Sequence, residues 1–302
     1  MLWLFSYVGT PGPLDRPVAN PPEVNDSGDT ADTGDPVAEC PLGWVRVPED
    51  VATLKEALAI GDQVCRGSGA YPPLVLADRD VEILGIGVVL LDGGDFGRVL
   101  QVNRGSLTLA GVEVRGGFAD FGAGLAIDEA DVVLRDVVVR DNEASDYYTG
   151  SGGGIRATGG TLTLERVEVR NNRAAGDRYD GFGAGIAMRS VEARFDDVLI
   201  AHNSAEGGWD GTGYGGGLTM AMGSLVASRL RVVANHAEDG GGIWVGEQAN
   251  ATLIQAALAG NTAETGGPFW VGDAHLGIAH ATVVGNTAEE GPGGWLENAS
   301  IA

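Results

Sequence analysis

The chain has 302 residues, with 19 basic against 42 acidic side chains and a net charge of −23. Such a surface repels nucleic-acid phosphates and anionic lipid headgroups, so neither is an expected partner. Fifty glycines in a chain that is 44% apolar indicate a folded protein with many tight turns, and no apolar run approaches the roughly 20 residues of a membrane span.

Residues 1–39 read as the remnant of an export signal followed by a disordered acidic linker. Leu2 to Val8 is apolar but shorter than a normal signal core, and PPEVNDSGDTADTGDP (21–36) holds too few apolar side chains for any core. The stretch resembles the acidic linkers behind the export signals of bacterial surface lipoproteins, although no lipobox cysteine stands near residue 20. The expected location is secreted or on a bacterial cell surface. Residues 40–302 read as one domain. Its cysteines, Cys40 and Cys65, have neither a CxxC spacing nor a histidine pair nearby, so one disulfide is preferred over zinc or two buried thiols. A short amphipathic helix is expected over 51–60, from the spacing of Val51, Leu54, Ala57 and Leu58.

Internal repetition governs the rest. Asparagine recurs at Asn142, Asn172, Asn203, Asn235, Asn261 and Asn286, spaced 30, 31, 32, 26 and 25 residues apart. Eight places before each stand Leu134, Leu164, Phe195, Ala227, Leu253 and Ile278; three places before stand Val139, Val169, Ile200, Val232, Leu258 and Val283. Alternation of period two within each segment predicts strands with one inward face, and the phase skip between them predicts a bend. A third strand follows each glycine cluster, with Leu125, Ile155, Ile186, Leu218, Ile243 and Phe269 inward. The expected fold class is all-β, a three-sided parallel β-helix whose layers lie about 4.8 Å apart.

The motifs GGGI (152–155), GAGI (183–186), GGGL (215–218) and GGGI (240–243), with VRDN, VRNN, IAHN, VVAN, LAGN and VVGN, carry a resemblance. The chain over about residues 49–298 resembles the right-handed parallel β-helix of the pectate-lyase-like superfamily. More narrowly it is similar to the GGAI and FxxN repeats of chlamydial polymorphic outer membrane proteins, with Val, Ile or Leu in place of the Phe. The resemblance implies a right-handed coil, with the helix at 51–60 as an N-terminal cap. At the other end, where GGWLENASIA closes the sequence, no cap is apparent, so a partner or missing segment is expected to cover it.

The Asn column reads as a structural ladder, each side-chain amide bonding backbone at its bend. Six places before each Asn, the order Asp136, Arg166, Asp197, Arg229, Gln255, His280 predicts an exposed salt-bridge ladder. The four histidines share no ligand spacing, and no metal site or catalytic residue is assigned.

The longer repeats gain their extra residues at one point, ASDYYTGSG (144–152), AAGDRYDGFG (174–183) and AEGGWDGTGY (205–214). Equivalent points on successive repeats are neighbours, so these insertions should share one edge. That edge carries Asp146, Tyr147, Tyr148, Asp177, Tyr179, Asp180, Trp209, Asp210 and Tyr214, and the adjoining strand's outward column adds Arg156, Trp244 and Trp270. Trp244 and Trp270 are expected to form a flat aromatic shelf. Exposed aromatics beside carboxylates suit sugar rings, whose CH faces stack while their hydroxyls bond the rim. Calcium at the loop aspartates is a lesser alternative, since no DxDxDG-type loop is present. The functional expectation is a noncatalytic, adhesin-like surface protein binding a polysaccharide or surface glycan; the alternatives are a polysaccharide lyase or glycoside hydrolase, and a spacer without ligand.

Overall fold

The computed structural model describes residues 39–301. The export-like stretch and the acidic linker, up to residue 38, lie outside the described residues. Within them the protein is all-β, with 31 strands and one helix, and no helix is long and apolar enough to cross a membrane.

The helix spans Leu54–Ile60, starting later than the apolar spacing indicates. Thr53 stops it: its hydroxyl accepts from the Glu56 backbone N–H (3.2 Å) while the Glu56 carboxylate accepts from the Thr53 N–H (3.0 Å). This reciprocal capping satisfies two donors that the first turn leaves open, and puts Val51 before the helix. Leu54, Ala57 and Leu58 are buried in the main core.

Strands of each repeat pair in parallel with the equivalent strands of the next. Leu134 lies opposite Leu164, then Phe195, Ala227, Leu253 and Ile278 follow in register. A second column runs Val114, Val139, Val169, Ile200, Val232, Leu258, Val283. A third runs Leu100, Leu125, Ile155, Ile186, Leu218, Ile243, Phe269. Nearly all of these side chains are buried in one continuous core, and each contributes about 1.5–3 kcal/mol by leaving water. The exceptions are Val283, 42% exposed, and Ile278, partly buried, because their columns end there among the described residues.

Left-handed residues bend the strands at repeating positions. Strand Ile186–Ala201 passes through Ser190 (φ 56°) and Asp197 (φ 54°), and strand Leu218–Val233 through Met222 (φ 48°) and Arg229 (φ 53°). All six residues of the column Asp136, Arg166, Asp197, Arg229, Gln255, His280 have φ between 52° and 55°. That corrects the salt-bridge ladder: the column marks a backbone bend, and within it only Arg166 and Asp136 pair (2.6 Å). Arg229 turns instead to Asp196 at 2.5 Å.

The six asparagines line up at a second bend. Each Oδ1 from Asn172 to Asn286 accepts from both the backbone N–H and the Nδ2 of the preceding asparagine, at 2.9–3.1 Å. Gly117, in the equivalent place one repeat earlier, donates its N–H to Asn142 Oδ1. Two residues beyond, alanine recurs in every repeat as Ala144, Ala174, Ala205, Ala237, Ala263 and Ala288. Four of these join Ala123 and Ala184 in a second, small-residue core. There the chain approaches itself closely: a Cβ on Gly153 would lie 2.2 Å from the Arg173 carbonyl oxygen. The disulfide Cys40–Cys65 ties the segment before the first strand to strand Gln63–Arg66.

Candidate functional site

The three insertions do lie side by side, because their backbones continue the parallel ladder. Tyr179 N–H donates to the Tyr148 carbonyl (3.1 Å) and Gly208 N–H to the Tyr179 carbonyl (2.7 Å). At their tips Tyr147 meets Tyr148 edge-on at 5.0 Å, and Tyr148 stacks on Tyr179 at 6.1 Å. Trp209 projects almost fully into solvent, 93% exposed. Two of the loop carboxylates serve the loops themselves: Asp180 accepts from the Thr212 N–H (3.0 Å) and Asp210 pairs with Arg178 (3.4 Å). Asp146 and Asp177 face solvent. Among the described residues no three His, Cys, Asp or Glu side chains are grouped as a metal site.

A second aromatic row runs beneath these tips. Phe182 stacks on Tyr214 at 5.1 Å, Tyr214 meets Trp244 at 5.7 Å, and Trp244 stacks on Trp270 at 5.2 Å with planes 2° apart. This corrects the flat shelf. The two indoles lie face to face, each covering the other, and both are half-buried. The cause is a glycine two residues downstream of each: a Cβ on Gly246 or Gly272 would come within 2.1 Å of Cη2 of its own strand's tryptophan. Each ring therefore folds down along its strand, and the two rest on one another.

On the other side of Trp244 the outward column becomes small. Its register runs Arg156, Ala187, Thr219, Trp244, Trp270, Trp295. Between Arg156 and Trp244, three interstrand steps or roughly 14 Å apart, Ala187 and Thr219 leave a recess of about 370 Å³. Ala221 extends its floor, Phe182 lines it from the insertion side, and Arg189 and Glu247 line it as well. Glu247, the one carboxylate among these lining residues, is paired with Arg189 at 2.8 Å.

Three side chains that line this recess carry polar groups without a partner. Thr158 Oγ1 and Trp244 Nε1 are buried and make no hydrogen bond. The third is Arg156. Its guanidinium lies 4.6 Å from the centre of the Phe121 ring, which Arg98 contacts at the same distance. Arg98 is anchored by Asp120 (3.1 Å) and the Phe121 carbonyl (2.8 Å), whereas Arg156 has no acceptor among the described residues. Burial lowers the Arg156 pKa from its ordinary value, partly offset by the nearby Asp128, and an arginine so placed stays cationic at neutral pH. Buried polar atoms normally find partners, so two open ones beside an unpaired guanidinium around one recess mark a place where a polar ligand or ordered water belongs.

The recess thus brings together Arg156 and Trp244 of the residues singled out in the sequence. Tyr214 and Trp270 stand behind Trp244 as its support. Asp146, Tyr147, Tyr148, Asp177, Tyr179, Asp180, Trp209 and Asp210 belong to the loop tips and do not line it. Sequence reasoning missed Phe121, Thr158, Arg189, Glu247 and the small floor. The drop in side-chain size from Arg156 through Ala187 and Thr219 to Trp244 was the available sign, as was the W-V-G motif at 244–246 and 270–272. Comparisons with protein-family models, curated proteins and solved structures find no match to this chain.

Proposed function

We propose that the chain is a right-handed, three-sided parallel β-helix acting as a noncatalytic, adhesin-like module that binds a glycan outside the cytoplasm. In-register pairing of successive repeats, bent at equivalent left-handed residues, supports the coil, and the near-universal hand of parallel crossovers supports its sense. The Cys40–Cys65 disulfide fits an oxidising compartment.

The observation that carries the binding assignment is the recess: a floor of small side chains, an indole as end wall, and an unpaired Arg156 guanidinium beside two buried polar atoms without partners. A sugar ring matches this chemistry, its CH face against Trp244 and its hydroxyls toward the polar side chains of the lining. The free Arg156 guanidinium favours a ring that also bears a carboxylate. A hydrolase would instead need two carboxyls about 5–10 Å apart across its substrate; the lining of the recess holds one, Glu247, and it is tied to Arg189.

A panel of acidic and neutral oligosaccharides titrated against the protein tests this. Trp244→Ala should weaken binding by about 30-fold or more, the scale of a central aromatic anchor, a loss read on the folded variant at a temperature below its lowered unfolding midpoint. Arg156→Ala should weaken the acidic ligands selectively. Silence across the panel would overturn the glycan reading, and new reducing ends or unsaturated products would overturn the noncatalytic one.

A further inference from the structure

A larger, more open trough of about 1030 Å³ adjoins the recess. Its lining is polar and comes from the bends that follow the outward strands, including Gln248, Asn250, Asp273, His275 and Ser300. Arg189 and Glu247 line both the recess and the trough. We infer that recess and trough form one elongated site, divided by the Arg189–Glu247 ion pair, and that this pair limits the length of ligand the site accepts. The inference rests on the glycan reading above and extends it from a single ring to a linear oligosaccharide.

The geometry of the divide supports this role. Arg189 lies opposite Ala221, and Ala221 opposite Gly246, the residue before Glu247. The two charged side chains therefore reach toward each other across two interstrand steps, roughly 10 Å, over Ala221, with Met222 beside them on the trough side. Their contact at 2.8 Å closes the gap above these residues, and each side chain is half exposed. An exposed pair of this kind shifts an equilibrium by about fivefold at most. A further sugar unit that gains more than this by entering the trough can displace the pair; a weaker one cannot.

Calorimetry with galacturonic acid and glucose oligomers, each from monomer to hexamer, reads the effect. For the native protein, affinity should rise with length until the recess is filled and then level off. In Arg189→Ala and in Glu247→Ala the affinity for the neutral glucose oligomers should go on rising with length, the ratio of longest to shortest being about fivefold greater than for the native protein. For the neutral oligomers the double variant should match the singles, since either change opens the same gap. High salt should move the native length profile for the neutral oligomers toward that of the variants. Identical length profiles in native and variant proteins, with binding retained, would overturn the partition and leave the glycan reading standing. Failure of every oligomer to bind any of the proteins would overturn both.

Discussion

Asn172 and Asn203 meet through a single oxygen: the Asn203 Oδ1 accepts from the Asn172 backbone N–H at 2.9 Å and from its Nδ2 at 3.0 Å. The Asn203 Nδ2 in turn donates to the Val169 carbonyl and to Asn235 Oδ1. Every polar atom of the amide is committed, and the residue is buried. Replacement by alanine strands two donors and at least one acceptor where water cannot reach, at about 1–3 kcal/mol each. Asn203→Ala should therefore lower unfolding free energy by about 3–5 kcal/mol. Asn286, half-buried at the end of the column, leaves groups that water can reach, so Asn286→Ala should cost about 1–2 kcal/mol. Urea unfolding of both variants reads the difference, and equal losses would mean the ladder is not what holds this bend.

The Trp244–Trp270 stack depends on a missing side chain. Gly246 has an ordinary backbone, and the atoms nearest to a Cβ added there are those of the Trp244 indole. Gly246→Ala should push that ring off its partner, costing about 0.5–1.5 kcal/mol for the lost aromatic pair. Coupling between the parallel indoles should vanish from the ultraviolet circular dichroism spectrum, and the end wall of the recess with it. An unchanged spectrum would show that the rings do not stack in solution.

Much of this was legible in the sequence, and particular residues show why. Asn172 recurs in register with apolar residues three and eight places before it, and a strand alternates with a fixed period of two, so columns such as Leu164–Phe195 could be written down from spacing alone. The sign of the bend was less accessible. Asp136 and Arg166 look like an ion-pair ladder because their charges alternate, but what selects the position is a left-handed backbone, which Asn, Asp and other polar residues tolerate best. The recess was hidden for a different reason. Attention falls on large side chains such as Trp209 and Tyr148, whereas a cavity is made by small ones, here Ala187, Thr219 and Ala221, between large neighbours.

Acid should loosen the insertion edge through Glu206. Arg173 bonds Glu206 at 2.7 Å and Glu143 at 2.6 Å, and its hydrogen bond holds the Glu206 carboxyl below the ordinary range. A carboxyl with a lowered folded-state pKa stabilises fully above its unfolded value, about 4.3. That contribution is lost as pH falls through the folded value. Both side chains are about two-fifths exposed, so solvent screening limits the effect to about 1 kcal/mol or less. Glu206→Gln should thus be slightly less stable than the native protein at neutral pH and converge with it in acid. Parallel stability–pH curves for the two would exclude this pair as a contributor.

The disulfide makes the most local prediction. Cys40 and Cys65 are 25 residues apart, and closing a loop of that size in the unfolded chain is worth about 3.5 kcal/mol in the chain-entropy treatment. The loop contains strand Val45–Val47, which pairs with Gln63–Arg66, and the helix Leu54–Ile60. The Asn column begins well beyond it and is held by its own hydrogen bonds. Replacing both cysteines by serine should therefore open the N-terminal elements first. Hydrogen exchange should show amides of residues 45–66 losing protection while the backbone N–H groups of Asn172 and Asn203 keep theirs. Loss of protection spread evenly through the Asn column would mean that the bridge supports the whole stack, and no loss anywhere would mean that the helix and first strands hold without it.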